Sequence, residues 1–463
     1  MAVPSRGDTW WQMSLLIALL SFSDRIGKSA GCRIDPGRWT TRTNRQTQRD
    51  QIASYNLTVS ERQSLAMTDF AKTKSMFHLP EGILYLDGNS LGPLPKSAGD
   101  RVGSMMKDEW GQLLITGWNK AGWMGMPTGL GDRIGRLIGA EPGSVVVGDT
   151  LSIKVYQAVA SALELNPTRK VVLSDNGNFP SDLYMADGLL RSLGTDYELR
   201  VVDPENVAAH ITEEVAVLML TEVDYRSGRM HDMKALTELA HANGVVTVWD
   251  LAHSAGAIPV DLSGCNADFA VGCTYKYLNG GPGAPAFVYV APRLSDRVRP
   301  ALSGWLGHEA PFAFDLDYRP GAGIERMRVG TPPVIQMAAL SAAMDIWDMA
   351  KMADVRAKSI ELTELFITRV EATCPGLTLA SPRDPAQRGS QVSFHFDEGY
   401  AAMQALIARG VIGDFRAPDI MRFGFTPLYV DEGDVEQAAQ ILADIITNNL
   451  WDKPEYKVRL RVT

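Results

Sequence analysis

The sequence predicts an α/β fold, with a large domain on a mostly parallel sheet of about seven strands and a smaller α+β domain after it. Three observations predict this. Short β-branched, apolar runs centre on Val145, Val171, Leu199, Val215, Val245, Phe269 and Phe287. Helical stretches alternate with several of them, as in βαβ units. Further on, helices at about 335–351 and 355–373 lead into strands near 391–396 and 420–424, then a last helix at about 434–449.

Composition narrows the function classes. The 463 residues allow two or three domains, and the net charge of −9 argues against a nucleic-acid or anionic-lipid surface. Cys32, Cys265, Cys273 and Cys374 are scattered, with no C-x-x-C and no histidines at metal-ligand spacing. Free thiols, a cytoplasmic location and no bound metal are the expectation. Residues 1–66 differ from the rest, with nine Lys/Arg against five Asp/Glu. The apolar run from Trp10 to Phe22 is too short and interrupted to span a bilayer, and no clean signal-peptide cleavage site follows it. Residues 1–66 therefore read as a disordered or non-native extension, and Met67 as a plausible start. Residues 67–144 read as an N-terminal arm with helices, 145–333 as the large domain and 334–463 as the small one.

The elements follow in order. A strand at 83–87 enters a Gly- and Pro-rich loop, 88–95, and an amphipathic helix at about 96–113. The loop holding Trp118 and Trp123 reads as a pocket wall, a dimer contact or core packing. After a strand at 145–148, Asp149-Thr150-Leu151-Ser152 opens a helix at 153–165. Small hydroxylic residues there offer free N–H groups to a phosphate, or simply cap the helix. The strand at 170–174 runs to Asn178-Phe179-Pro180-Ser181-Asp182, where the aromatic can stack on a ring or pack in the core. A buried strand at 215–220 ends at Thr221, and a helix at 230–243 stops at Gly244.

The densest stretch is 245–290. A strand ends at Asp250, a second at 268–272 leads into Thr274-Tyr275-Lys276, and Gly280-Gly281-Pro282-Gly283 turns into a third at 286–290. Ligands of open α/β sheets sit at the carboxyl ends of strands, so Asp250 and Lys276 would face one crevice. A carboxylate and a lysine there fit pyridoxal phosphate: the amine joins the cofactor's aldehyde and the carboxylate keeps the pyridine nitrogen protonated. The plainer reading is a surface ion pair. His253, three residues past Asp250, is either a cofactor contact or a satisfied core histidine.

DLAHSAG followed by TYKYLNGGPGAPAF resembles the kynureninase family, pyridoxal phosphate enzymes of fold type I. The resemblance continues through YLDGNSLGPLP at Tyr85–Pro95, NFPSD at Asn178–Asp182, GWLGH at Gly304–His308 and GTPP at Gly330–Pro333. It covers the chain from about Met67 onward and implies hydrolysis of L-kynurenine, or its 3-hydroxy form, to L-alanine and anthranilate or 3-hydroxyanthranilate. It also implies site roles. Leu151 and Ser152 cradle the phosphate, Phe179 stacks on the ring, and Pro180, Ser181, Asp182, Thr221 and His253 border the cofactor. Asp250 faces the pyridine nitrogen, Lys276 is the anchor and base, and Tyr275 is a proton relay. In a homodimer, Trp305 and Thr331 would reach the phosphate of the neighbouring copy. Asn89 and Ser90 approach the substrate or only form a turn.

Arg422, in a C-terminal strand, needs an anion if buried. The resemblance supplies the substrate α-carboxylate, and the alternative is a structural salt bridge. Three other functions are compatible with the same residues: a cysteine desulfurase or selenocysteine lyase, an aminotransferase or epimerase, and a non-catalytic pyridoxal phosphate protein. The first needs a mobile cysteine late in the chain. Cys374, the only cysteine after Lys276, sits at a helix end.

Overall fold

The computed structural model describes residues 67–459. The extension read from residues 1–66, including the apolar run, Cys32 and the Asn56 sequon, lies outside the described residues. After a short helix, Phe70–Ser75, and a two-residue strand, Phe77–His78, that pairs with Leu94–Pro95, the chain reaches β1 (Leu84–Tyr85), two residues long against the five expected. The helix expected over 96–113 is interrupted. It runs as an α-helix over Ala98–Ser104, a π-helix over Met105–Trp110 and a last turn at Gly111–Leu113. Gly103 and Gly111 flank the wide turn with no side chain to crowd it, and Arg101 reaches Glu109 across it at 2.8 Å. Trp118 meets Trp123 edge to face at 5.6 Å, and buried Trp123 donates to Glu109 at 2.6 Å. Trp123 is thus packed inside the protein, while Trp118 stays half-buried.

The large sheet follows. Helix α1 (Met126–Leu137) precedes β2 (Val145–Val147), α2 (Leu151–Leu165), β3 (Val171–Asp175), α3 (Pro180–Leu193) and β4 (Glu198–Val202). Then come β5 (Val215–Thr221), α4 (Met233–Ala242), β6 (Val246–Asp250), β7 (Phe269–Gly272) and β8 (Phe287–Val290). The seven strands β2 to β8 form one sheet in the order β2-β8-β7-β6-β5-β3-β4. Every pairing is parallel except those of β8, which runs against both neighbours. The central strand β5, VAVLMLT, is buried at every residue, as a parallel strand covered on both faces must be. Each fully buried Val or Leu there contributes roughly 1.5–3 kcal/mol. Edge strand β4 carries Glu198 and Arg200 toward solvent, which blunts an otherwise open edge. Helix α4 starts three residues later than expected because Asp232 caps it, accepting from Ala235 N at 2.9 Å.

The C-terminal part has its own sheet. Helices α5 (Val334–Trp347) and α6 (Met352–Thr373) lead to β9 (Thr378–Leu379), β10 (Gln391–His395) and α7 (Gly399–Ala408). Strands β11 (Val411–Ile412), β12 (Asp414–Arg416) and β13 (Ile420–Gly424) precede the last helix, α8 (Glu432–Thr447). Four strands pair antiparallel in the order β9-β10-β13-β12. β11 instead pairs parallel with β1, Val411 opposite Leu84 and Ile412 opposite Tyr85. That pairing carries the 87–92 loop against the C-terminal strands. Among the described residues no helix is long and apolar enough to cross a membrane, and no cluster of three His, Cys, Asp or Glu could hold a metal ion.

Candidate active site

Parallel strands deliver their last residues to one edge of the sheet, and here that edge opens into a cleft with about 440 Å³ of space. β5 ends in Thr221, whose register partner is Asp250 at the end of β6. Lys276 follows β7 by four residues, after a segment held by a bond from Thr274 Oγ1 to Pro285 O at 2.7 Å. The turn beyond it needs left-handed backbone at Gly281 and Gly283. On its other side lies Gly92, donating to Tyr275 O at 2.7 Å. A Cβ at Gly92 would stand 2.6 Å from Lys276 O, so this glycine lets the 87–92 loop lie directly on the lysine turn.

Asp250 is buried and accepts from Ala252 N at 2.8 Å. Burial pushes its carboxyl up, while Lys276 opposes the shift. Asp182, from the first turn of α3, is equally buried and bonded to Asp250. Burial and the Asp250 charge hold Asp182 well above the usual carboxylate range. The pair therefore keeps one proton on Asp182, leaving Asp250 the ionised member. Lys276 Nζ lies 3.0 Å from His253 Nε2. Burial, then the Lys276 charge, lowers His253 well below its ordinary value, so the imidazole is neutral there.

The cleft walls come from two helix starts. Thr150 caps α2 without a side-chain bond, leaving the N–H groups of its first turn unclaimed by the cap. Ser152 Oγ lies 3.1 Å from Ser181 Oγ, where α2 and α3 begin side by side. Phe179 stands just before α3, 41 % exposed, with Lys276 Nζ 5.8 Å from its ring centroid. Core packing is thereby excluded for Phe179. Tyr225 backs it edge-on at 5.2 Å. Tyr275 also lines the cleft, its phenol pushed up by the neighbouring Cys273 and by burial.

The cleft thus gathers Leu151, Ser152, Phe179, Ser181, Asp182, Thr221, Asp250, His253, Tyr275 and Lys276. Pro180 occupies the first position of α3 and does not line it. Trp305 and Thr331 stand apart from it. Trp305 packs on Phe312 at 5.8 Å, and Thr331 borders a separate crevice with Lys154 and Arg328. Asn89 is wholly buried, and neither side-chain polar atom has a partner. Arg422 is buried, as expected, but its anion is internal: Nε donates to Asp414 Oδ1 at 2.5 Å and Nη2 to Asp414 Oδ2. Ser90 Oγ joins the same group, donating to Asp414 Oδ2 at 2.7 Å.

Sequence reasoning missed Tyr225, which also lines the cleft. Tyr225 was within reach, since it lies four residues past Thr221 at a strand end already marked as a ligand edge.

A family model described as the kynureninase C-terminal domain matches residues 355–442, and one for the DegT/DnrJ/EryC1/StrS aminotransferase family matches residues 162–270. Kynureninase from Pseudomonas fluorescens is 49 % identical over 405 residues, covering 86 % of this chain and 97 % of its own. The chain belongs to the kynureninase family. A kynureninase from Burkholderia pseudomallei is 48 % identical over 400 residues, 85 % of this chain and 96 % of its own. Among solved structures, the Escherichia coli cysteine desulfurase CsdA superposes with a TM-score of 0.69 at 17 % identity, covering 83 % of this chain and 100 % of that one. The Thermococcus onnurineus cysteine desulfurase gives the same TM-score and identity, covering 83 % of this chain and 99 % of that one. At such identity these two share the fold alone. It is fold type I, as the resemblance implied.

For a kynureninase the cofactor is pyridoxal phosphate, and this cleft fits it. Unclaimed N–H groups and two serine hydroxyls meet where a phosphate would lie. Two buried polar atoms, Asp182 Oδ2 and His253 Nδ1, have no partner among the described residues. An open aromatic face stands beside the lysine amine.

Proposed function

We propose that this chain hydrolyses L-kynurenine, or its 3-hydroxy form, to L-alanine and anthranilate or 3-hydroxyanthranilate in the cleft around Lys276. The observation that carries this reading is one pocket holding Lys276 against neutral His253 and beside the Asp182–Asp250 pair. Bound pyridoxal phosphate supplies an electron sink that weakens bonds around the substrate's α- and β-carbons.

The chain's own groups do the rest. Lys276 anchors the cofactor through Nζ and afterwards takes the α-proton. Asp250, ionised, faces the pyridine nitrogen, and Asp182 holds its proton and orients Asp250. Phe179, Thr221 and His253 would border the cofactor's ring. Leu151, Ser152 and Ser181 hold the phosphate at the helix starts. Tyr275 relays a proton toward the reacting carbons, with water as the nucleophile at the γ-ketone.

Incubation of purified protein with pyridoxal phosphate and L-kynurenine is expected to yield anthranilate fluorescence and an equal amount of L-alanine. Sulfide from cysteine, with no anthranilate, would transfer the assignment to the desulfurases. Against that second reading, Cys374 is 1 % exposed at the C-terminal end of α6 rather than in an open loop.

The working form we infer is a homodimer, with Trp305 and Thr331 serving the neighbour's phosphate. Exposed Phe312, Phe314 and Leu316 beside Trp305 support it, because such apolar clusters mark contact surfaces. Sedimentation at twice the chain mass is expected, and a monomer at assay concentration would remove this assignment. Cytoplasmic action accords with unpaired Cys265, Cys273 and Cys374.

A further inference from the structure

One turn of the large domain is held by the small one. Residues 224–230, just past β5, fold back on themselves: Asp224 N donates to Arg229 O at 2.8 Å, and Gly228 takes left-handed backbone. The C-terminal segments close over this turn. Gln391 Nε2, wholly buried, donates to Tyr225 O at 3.1 Å and to Arg226 O at 3.0 Å. Ser393 Oγ donates to Arg226 O and Ser381 Oγ to Ser227 O, both at 2.6 Å.

Backbone bonds add to these, from Gly389 N to Gly228 O at 2.8 Å and from Met230 N to Gln387 O at 2.9 Å. A Cβ on Gly228 would stand 3.0 Å from Gln391 O, so a residue without one lets the turn lie this close. The carbonyls of Tyr225, Arg226 and Ser227 thus find their donors in the C-terminal part of the chain, with Arg422 Nη1 a second donor to Tyr225 O.

This turn puts a ring into the cleft. Tyr225 lines it and meets Phe179 edge to face, with centroids 5.2 Å apart and planes at 87°. The Arg226 guanidinium, itself donating to Asn176 O at 3.0 Å, lies 5.7 Å from the Tyr225 ring centroid. Phe179 has its backbone fixed at the start of α3, yet its side chain opens into the cleft. The direction of its ring therefore depends on what stands beside it, and an edge-to-face neighbour favours one orientation.

We propose that Tyr225 is a positioning residue for the cofactor site: it sets the direction of the Phe179 ring, and the C-terminal sheet sets Tyr225 through Gln391 and Ser393. The proposal rests on the cleft holding pyridoxal phosphate beside Phe179. The small domain thereby acts on the cofactor's ring without touching it.

The test titrates pyridoxal phosphate into the cofactor-stripped full chain and reads the dissociation constant from the visible absorbance. Tyr225→Leu is expected to weaken the cofactor about threefold to tenfold, the worth of one aromatic pair. Tyr225→Phe should recover most of that loss, because the ring rather than the hydroxyl does the positioning. In a Phe179→Leu background, Tyr225→Leu should add less than about twofold, since its effect passes through that ring. Gln391→Met should weaken the cofactor in the native background and add little in the Phe179→Leu one. Ser393→Ala cuts the same tie more gently, should Gln391→Met fail to fold. A full Tyr225→Leu loss in the Phe179→Leu background, or none in the native one, would overturn the role of Tyr225. Cofactor affinity unchanged in both Gln391→Met and Ser393→Ala would overturn the tie to the C-terminal sheet. Failure of the native enzyme to release anthranilate would strike the proposed reaction instead, since this titration needs no substrate.

Discussion

Lys276→Ala is expected to abolish turnover of kynurenine, with a loss of at least about 10⁴-fold. One side chain is asked to perform two tasks, covalent attachment of the cofactor and removal of the α-proton. Positioned proton transfer alone is worth roughly 10²–10⁴-fold, and loss of the anchor adds to it. Structure limits any rescue. The nearest other basic group is His253, 3.0 Å from the amine and held neutral by burial, but it has no amine with which to attach an aldehyde. Two measurements check this. Borohydride reduction followed by peptide mass analysis should find the cofactor on the Lys276 peptide of the native chain and nowhere in the variant. Steady-state assays should find no anthranilate above the background rate. A variant keeping even about one per cent of the native rate would contradict the roles assigned to this amine.

The second large effect is asymmetric. Asp250→Asn is expected to lower kcat by roughly 10²–10³-fold, because a neutral amide cannot stabilise positive charge on the pyridine nitrogen. Asp182→Asn is expected to stay within about tenfold of the native rate. The reason is that Asp182 already carries the proton of the pair, so an amide N–H can donate to Asp250 in its place. The converse assignment, with the ionised member on α3, predicts the opposite ranking. Measuring both single variants and the double variant decides between them. The double variant should lose no more than Asp250→Asn alone, since the two groups act as one unit.

The half of the site that would hold the cofactor was legible in the sequence, and the arginine cluster beside it was legible only through Arg422 and Ser90. Asp250, Thr221 and Lys276 sit at or just after strand ends, and strands with period-free apolar runs can be found by inspection. Phe179, Ser181 and Asp182 follow β3 in the same way. The seven strand centres all fall in or next to strands of one sheet for that reason. Asp414 and Arg416, by contrast, lie in a short polar strand that reads as solvent-facing. Their partners are remote: Ser90 is 324 residues from Asp414, and Tyr225 is 197 from Arg422. No local period encodes such a contact. Arg422 illustrates the limit well, since burial and the need for an anion were both foreseen, while the anion's identity depended on how two distant segments fold together. The π-helical turn at 105–110 was missed on similar grounds, because its spacing of apolar residues is that of an ordinary helix.

The pairing of β1 with β11 ties the 87–92 loop, and with it the lysine turn, to the C-terminal strands. Gly92 leans on the lysine turn and Ser90 on the arginine cluster, and the loop that carries both is held on one side by β1 and on the other by the pairing of Leu94–Pro95 with Phe77–His78. A protease cut near position 84 would unseat both grips at once while the seven-stranded body stayed whole. That loop is therefore a good place to look for mutations that silence activity yet leave the melting curve nearly untouched.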